Sequence, residues 1–346
     1  MRRALRIGLI GAGLIGRKHA GYLKASSDCV LAAIADPSPD AKEVTIEYGA
    51  AFYLGFEEMM ALEDLDGVII AAPNDRHEEI GIAASANRLP MIIEKPIATD
   101  LQASSRLTEA AARAGVPLLV GHHRRYNPNA KKARALVREG ALGRLVAVNT
   151  IWSVKKPEAY FEATWRTEPG GGPILINLIH EIDLLRFICG EIIEVMALKS
   201  QAVRGFAVED SASIALRFEN GALASILVSD TGPSPWSFEQ ATGENHPVFP
   251  KNNENPTRLI GAEAALEFPS LKLWRHDGDV DWHNPLSKKV FPEPDIDVFS
   301  EQIAHFARVI RGEEEPIITG EDASRSLAAT LAVIKAADTE RVIRLP

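Results

Sequence analysis

Short apolar runs alternate with stretches of helical periodicity through the first third of the chain. The runs are Ile7 to Ile10, Val30 to Ala35, Val68 to Ala72, Met91 to Ile93 and Leu118 to Val120. Each is apolar on consecutive positions, the pattern of a strand buried on both faces. Between them, residues 14–25, 39–48, 56–62, 77–86 and 100–114 carry apolar residues at helical spacing. Thr99-Asp100 offers a helix N-cap, and Gly115 followed by Pro117 a stop. Alternation of this kind predicts an α/β domain, a parallel sheet with helices on both faces.

The pattern changes near Gly121. A helix is expected from Pro128 to Glu139, then longer strands at 145–154, 192–203, 211–218 and 222–229. Asn220-Gly221 between the last two is a two-residue hairpin signal. Long strands joined by a hairpin predict an antiparallel sheet. One helix, Asn177 to Ile188, interrupts them, with Gly190 as its stop. Residues 230–256 are rich in Pro, Asn, Ser and Gly and read as a long functional or mobile loop. Helices at 299–311 and 321–337 close the chain. The expected division is residues 1–122 as an α/β domain and 123–346 as an α+β domain. The final helix is a candidate to pack back on the first domain.

Composition narrows the classes of function. The 346 residues carry a net charge of -9, with 46% hydrophobic and 25% charged residues. An acidic surface repels phosphate backbones, so no nucleic-acid partner is expected. The two cysteines, Cys29 and Cys189, sit in apolar stretches and read as buried free thiols in a reducing compartment. No Cys/His cluster has zinc-ligand spacing, so no metal is expected. The basic start, Met1-Arg2-Arg3, imitates a signal peptide, but the apolar run after it is broken by glycines and reads as a first strand. No stretch approaches ~18 uninterrupted apolar residues, so no membrane span is expected. These features together predict a cytoplasmic protein.

Candidate chemistry begins at Gly11-Ala12-Gly13-Leu14-Ile15-Gly16, which follows a predicted strand and opens a predicted helix. In that context one glycine makes the tight turn and the second lets the backbone approach a pyrophosphate. The third packs helix on strand. The helix N-terminus offers free N–H groups to the phosphates, those of Leu14 and Ile15 among them. Asp36 ends the second strand 20 residues after Gly16, where an acid accepts hydrogen bonds from ribose hydroxyls and repels a 2′-phosphate. NAD is therefore expected over NADP. Pro73-Asn74, with His77 just beyond, and Glu94-Lys95 follow later strands. They stand at the strand ends where open α/β sheets bind ligands.

Gly11 to Gly16 with His19, Ala72-Pro73-Asn74, Glu94-Lys95-Pro96-Ile97-Ala98 and Gly121 to Pro128 together resemble the Gfo/Idh/MocA oxidoreductases. So do Gly170-Gly171-Gly172 and His180-Glu181-Ile182-Asp183. The resemblance covers nearly the whole chain. It implies a Rossmann domain followed by an open, mostly antiparallel sheet, and NAD(P)-dependent chemistry on sugars, cyclitols and their derivatives. It places Lys95 near the reacting carbon and the nicotinamide, gives His180 the hydroxyl proton, and sets Asp183 against substrate. The segment Arg124 to Asn127, Tyr126 included, lines the substrate side of the cleft. It also implies a homo-oligomer, dimer or tetramer, through the second domain's sheet. One position departs from the family pattern: the aspartate four residues before the histidine is Ile176 here.

The residues themselves agree in part. His180 and Asp183 are three apart on a predicted helix and share a face, which Asn177 is placed to join. A histidine titrating near neutrality suits transfer of a hydroxyl proton, and a lysine stabilises charge developing on an oxygen. Each also has a plain reading: a hydrogen-bonded core histidine, or a salt bridge from Asp183 to Arg186. Arg124 and Arg125 are candidates for an anionic substrate group or a solvated basic loop. Trp152 and Trp165 suit either a sugar face or core packing. Arg166 is a further substrate candidate. An NAD-dependent glycosidase acting through transient oxidation and a non-catalytic dinucleotide sensor are the alternative functions.

Overall fold

Consecutive Val, Ile, Leu and Ala residues give strands that must be covered on both sides, and the first part of the chain builds around them. A computed structural model describes residues 3–245 and 248–346. Met1 and Arg2 of the basic start, and His246 and Pro247 of the 230–256 segment, lie outside the described residues. The chain divides into two compact units, Met1–Tyr126 with Ile296–Leu327, and Asn127–Asp295 with Ala328–Pro346.

In the first unit β1 (Leu5–Ile10), β2 (Cys29–Ala35), β3 (Ala51–Tyr53), β4 (Gly67–Ile70), β5 (Met91–Ile93) and β6 (Leu118–Val120) form one sheet. Its order is β3-β2-β1-β4-β5-β6, and every pairing is parallel. The helices between them are α1 (Leu14–Ala25), α2 (Lys42–Tyr48), α3 (Phe56–Leu62), α4 (His77–Ala86) and α5 (Leu101–Ala114). Asp100 caps α5 by accepting from Gln102 N and Ala103 N, and Gly115 ends it at a φ of 67°, as its sequence signals require. The strand order reverses between β1 and β4. That is the switch point where loops at the strand C-termini part and leave room for a ligand.

The second unit contains α6 (Pro128–Arg138), β7 (Leu145–Ser153), α7 (Ile179–Cys189), β8 (Ile192–Ser200), β9 (Ser211–Phe218) and β10 (Leu223–Ser229). After these come α8 (Phe238–Thr242), β11 (Thr257–Gly261), β12 (Ala264–Phe268), β13 (Lys272–His276) and β14 (Leu286–Val290). Two further helices follow, α9 (Val298–Ile310) in the first unit and α10 (Gly320–Thr339), and β15 (Ile343–Arg344) ends the chain. The nine-stranded sheet runs β14-β13-β12-β11-β7-β10-β9-β8-β15 and is antiparallel except where β7 meets β10. One face packs on α6, α7 and the end of α10, with Trp152, Phe218, Phe238 and Phe268 at the centre.

Three local differences from the sequence reading have simple causes. The hairpin pairs Phe218 with Ala222 and spans Glu219 to Gly221. It is a three-residue loop with Gly221 at positive φ, not a two-residue turn. The helix expected from Asn177 begins as α7 only at Ile179, because Ile174–Leu178 form a π-turn. The 230–256 segment is not wholly loop, since Ser237 caps α8 through a bond to Gln240 N. Both cysteines are buried free thiols, and burial pushes the thiol of Cys29 up to about 12. Among the described residues no helix is long and apolar enough to cross a membrane.

Candidate active site

The glycine turn is built by steric exclusion. Gly11 has a φ of 94°, and a Cβ there would lie 2.5 Å from the carbonyl oxygen of Ala71. A Cβ on Gly16 would lie 1.9 Å from the oxygen of Gly11, so no other residue lets α1 pack this close to the turn. Gly13 faces open space, with nothing within 4 Å of where a Cβ would stand. It is the N-cap of α1 and has no side chain to satisfy the first N–H groups; Leu14 beyond it is 83% exposed. Open backbone donors at the positive end of a helix fit a dinucleotide pyrophosphate.

Asp36 stands beside this turn and also braces it. Its Oδ2 accepts from Ala12 N at 2.7 Å and its Oδ1 from Ser38 N at 2.8 Å. A carboxylate has about four lone-pair sites, so both oxygens keep acceptor capacity for a ribose.

Strand β4 lies next to β1 and β5 next to β4, all parallel, so their C-terminal residues share one edge. Pro73 is exposed and Asn74, half-buried, opens a short 3₁₀ turn. His77 and Glu94, read from the sequence as cofactor contacts, are buried and brace the unit from within. Burial forces each to find a partner inside the unit. Nδ1 of His77 is 2.9 Å from Pro96 O and its Nε2 is 2.9 Å from Ala72 O. Glu94 Oε1 is 2.8 Å from His19 Nε2. Burial opposes ionisation of Glu94, but the His19 bond and charge, then Lys95 and His123, outweigh it and take its pKa to about 2. A Cβ on Gly121 would lie 2.8 Å from Glu94 Oε1, so only glycine leaves the carboxylate its place. Lys95, half-buried, follows Glu94 directly.

Arg124 and Tyr126 were expected to line a substrate cleft, yet each is only 2% exposed. They lie in a 3₁₀ turn, His123–Tyr126, where the phenol meets His305 Nδ1 at 2.8 Å. Arg125 pairs with Asp322. His122 is buried, and His123 stacks on Phe299 with centroids 4.4 Å apart.

In the second unit Gly171 and Gly172 fold the chain tightly ahead of the π-turn. Their absent Cβ atoms would strike Trp165 O at 2.3 Å and Glu209 Oε1 at 2.3 Å. The π-turn that follows contains Ile176 and Asn177 and leads into His180 and Asp183 on α7. α-Helical spacing does not run through a π-turn, so Asn177 is not held on the row of His180 and Asp183 by a regular helix. His180 and Asn177 are half-buried, whereas Asp183 is 1% exposed. Arg186 on the same helix pairs with Glu191 at 2.8 Å.

Lys156 holds Asn177 in place, its Nζ donating to Oδ1 at 2.9 Å. Asp230 accepts from Lys156 at 3.3 Å and from Arg204 Nε at 3.2 Å, all three side chains being nearly buried. Sequence reasoning missed this group. Its signal was Lys155-Lys156-Pro157 after one apolar strand and Asp210 and Asp230 flanking two others. Trp152 is fully buried and donates to Glu239 Oε2 at 2.9 Å, so it is a core residue and not a sugar platform. Among the described residues no cluster of His, Cys, Asp and Glu suits a metal ion.

The chain matches two family models in sequence order. Residues 5–122 match the oxidoreductase family with NAD-binding Rossmann fold, and residues 130–261 match the GFO/IDH/MocA C-terminal domain. It is 30% identical to the oxidoreductase YrbE of Bacillus subtilis, over 93% of this chain and 91% of that one. The chain belongs to the Gfo/Idh/MocA family. This Gfo/Idh/MocA protein is thus an oxidoreductase, and its first unit is an NAD-binding Rossmann fold. It is also 29% identical to 1,5-anhydro-D-fructose reductase of Ensifer adhaerens, over 96% of each chain. Identity to myo-inositol 2-dehydrogenase of Thermotoga maritima is 26%, over 99% of this chain and 98% of the relative.

Proposed function

We propose that the protein moves a hydride between NAD and a hydroxyl-bearing carbon of a sugar, cyclitol or related polyhydroxy compound. The observation that carries this reading is the shared edge of β1, β4 and β5. Adjacent strands are about 4.8 Å apart, so Lys95 stands two strands from the glycine turn, at the end of the sheet where such folds hold ligands. Relatives named as a sugar reductase and an inositol dehydrogenase support the substrate class.

NAD, when bound, supplies the hydride acceptor or donor. The glycine turn holds its pyrophosphate, Asp36 its adenosine ribose, and Pro73-Asn74 flanks it. Lys95 stabilises negative charge on the substrate oxygen as the carbon is oxidised or reduced. His180 takes or returns the hydroxyl proton, with Asn177 orienting the substrate. We also place the protein in the cytoplasm, in keeping with two buried free thiols.

We further propose a homo-oligomer through the outer face of the nine-stranded sheet. Leu198, Leu227 and Ile151 lie in one row across the sheet, with Ser213 between the first two, and Met196, Leu223 and Ile260 lie on other rows of the same face. Leu198 is 68% exposed, a large apolar surface to leave in water.

The test is NAD reduction across cyclitols, aldoses, sugar acids and aminosugars, beside NADH oxidation with keto-sugars. One substrate with stoichiometric cofactor turnover is the expected result. Cleavage of a glycoside without net NADH change would overturn it in favour of a glycosidase.

A further inference from the structure

We infer that Arg166 forms a recognition subsite for a carboxylate on the substrate, so that the physiological substrate is a polyhydroxy acid. The inference rests on the polyol–NAD reading above and adds a charged group to it. Arg166 Nη1 donates to Tyr160 O at 2.5 Å. Its guanidinium carbon is 4.0 Å from the Tyr160 ring centroid and 5.2 Å from that of Trp165. Gly171 closes over its backbone, since a Cβ there would be 2.7 Å from Arg166 Cα. The fork is therefore fixed by one carbonyl and two rings before any ligand arrives.

What it lacks is a counter-charge. Arg166 is half-buried, with its Nε shielded from solvent. The neighbouring, more deeply buried cations are paired: Lys156 and Arg204 share Asp230. Arg166 has no carboxylate partner among the described residues, and its Nε is buried without any acceptor. With Nη1 spent on Tyr160, the remaining edge of the fork is Nε and Nη2. That edge matches the two oxygens of a carboxylate. Lys156 lies on the same Tyr160 ring, its Nζ 4.6 Å from the centroid, and adds positive potential. It also holds Asn177, which connects this cation cluster to the proposed substrate residues. A neutral polyol could offer Nε a hydroxyl oxygen but no negative charge and no paired oxygens for the fork.

Calorimetry on the NAD-saturated full-length protein tests this with matched pairs, D-galacturonate against D-galactose and D-gluconate against D-glucitol. The acid of at least one pair should bind at least ~10-fold tighter than its neutral partner. Arg166→Ala and Arg166→Gln should bring that ratio close to one, and Arg166→Lys should keep part of it. Equal binding within both pairs, silence of all four compounds, or a preference that survives both neutral variants would overturn the subsite. Turnover of neutral polyols with no preference for acids would overturn it while leaving the dehydrogenase reading standing. Failure to bind NAD would remove that reading and this inference with it.

Discussion

His19 Nε2 stands 2.8 Å from Glu94 Oε1, and both side chains are buried. His19 is one turn into the helix that starts at the glycine turn, and Glu94 directly precedes Lys95. The pair therefore ties the cofactor helix to the strand end that presents the lysine.

The pair sets an acid limit on stability. Burial raises the Glu94 pKa, but His19 with Lys95 and His123 takes it from 4.5 to about 2. The unfolded chain then binds more protons than the folded one between those values. The contribution is whole above pH 4.5 and is lost as pH falls toward about 2. Glu94→Gln should be less stable than wild type near neutrality and should lose less on acidification. Urea unfolding at stepped pH measures both; parallel stability curves would refute the assignment.

His77 supports a second prediction. Its ring nitrogens face two carbonyls, Ala72 O and Pro96 O, although a neutral imidazole has only one N–H to donate. Burial lowers its pKa from 6.5 even though both carbonyls pull it upward. The unfolded state thus takes up a proton more readily, and stability is present above pH 6.5 and declines below it. His77→Leu should cost about 1–3 kcal/mol through the carbonyl left without its donor. It should also remove this part of the pH dependence, which thermal unfolding across that range detects.

Sequence pattern made five of the first unit's six strands legible because they are written as apolar runs, whereas β3, three half-buried residues at the sheet edge, was not read. The glycine turn and Asp36 were readable because sterics and charge permit few residues there. The strands β11 to β14 were not readable. Leu286-Ser-Lys-Lys-Val is exposed along its whole length at a sheet edge, and charged edge strands leave no apolar pattern. The π-turn was hidden because Ile174 to Leu178 are mostly apolar and give no sign of an i to i+5 bond. The burial of Tyr126 and Trp152 was equally hidden, since their partners His305 and Glu239 are 179 and 87 residues away.

Asp36→Ala should change cofactor handling in two ways. Loss of the acid removes repulsion of a 2′-phosphate, so the NAD-to-NADP ratio of kcat/KM should fall. Loss of the bond to Ala12 N loosens the turn, so KM should rise for both cofactors. An unchanged ratio would take Asp36 away from the ribose.

On the proposed roles, Lys95→Ala should nearly abolish turnover while NAD binding, measured by calorimetry, stays largely intact. His180→Ala should lower kcat by ~10²-fold or more and flatten the limb of the pH–rate profile that reports the base. An active Lys95 variant, or a His180 variant with the wild-type profile, would dismiss that residue from the chemistry.

Asp230 is a counter-ion shared by two nearly buried cations, and removing it weakens the pairing of both. Asp230→Asn keeps the shape but removes the negative charge that Lys156 and Arg204 share, leaving Arg204 the exposed Glu158 at 3.3 Å, which should cost about 3 kcal/mol. If the cost comes from stranded charge and not from altered packing, removing one cation as well should recover part of it. Lys156→Met combined with Asp230→Asn should therefore destabilise by less than the sum of the single changes. Simple additivity in urea unfolding would mean that Lys156 and Asp230 do not sense each other. Asn177 would then be held without help from that pair.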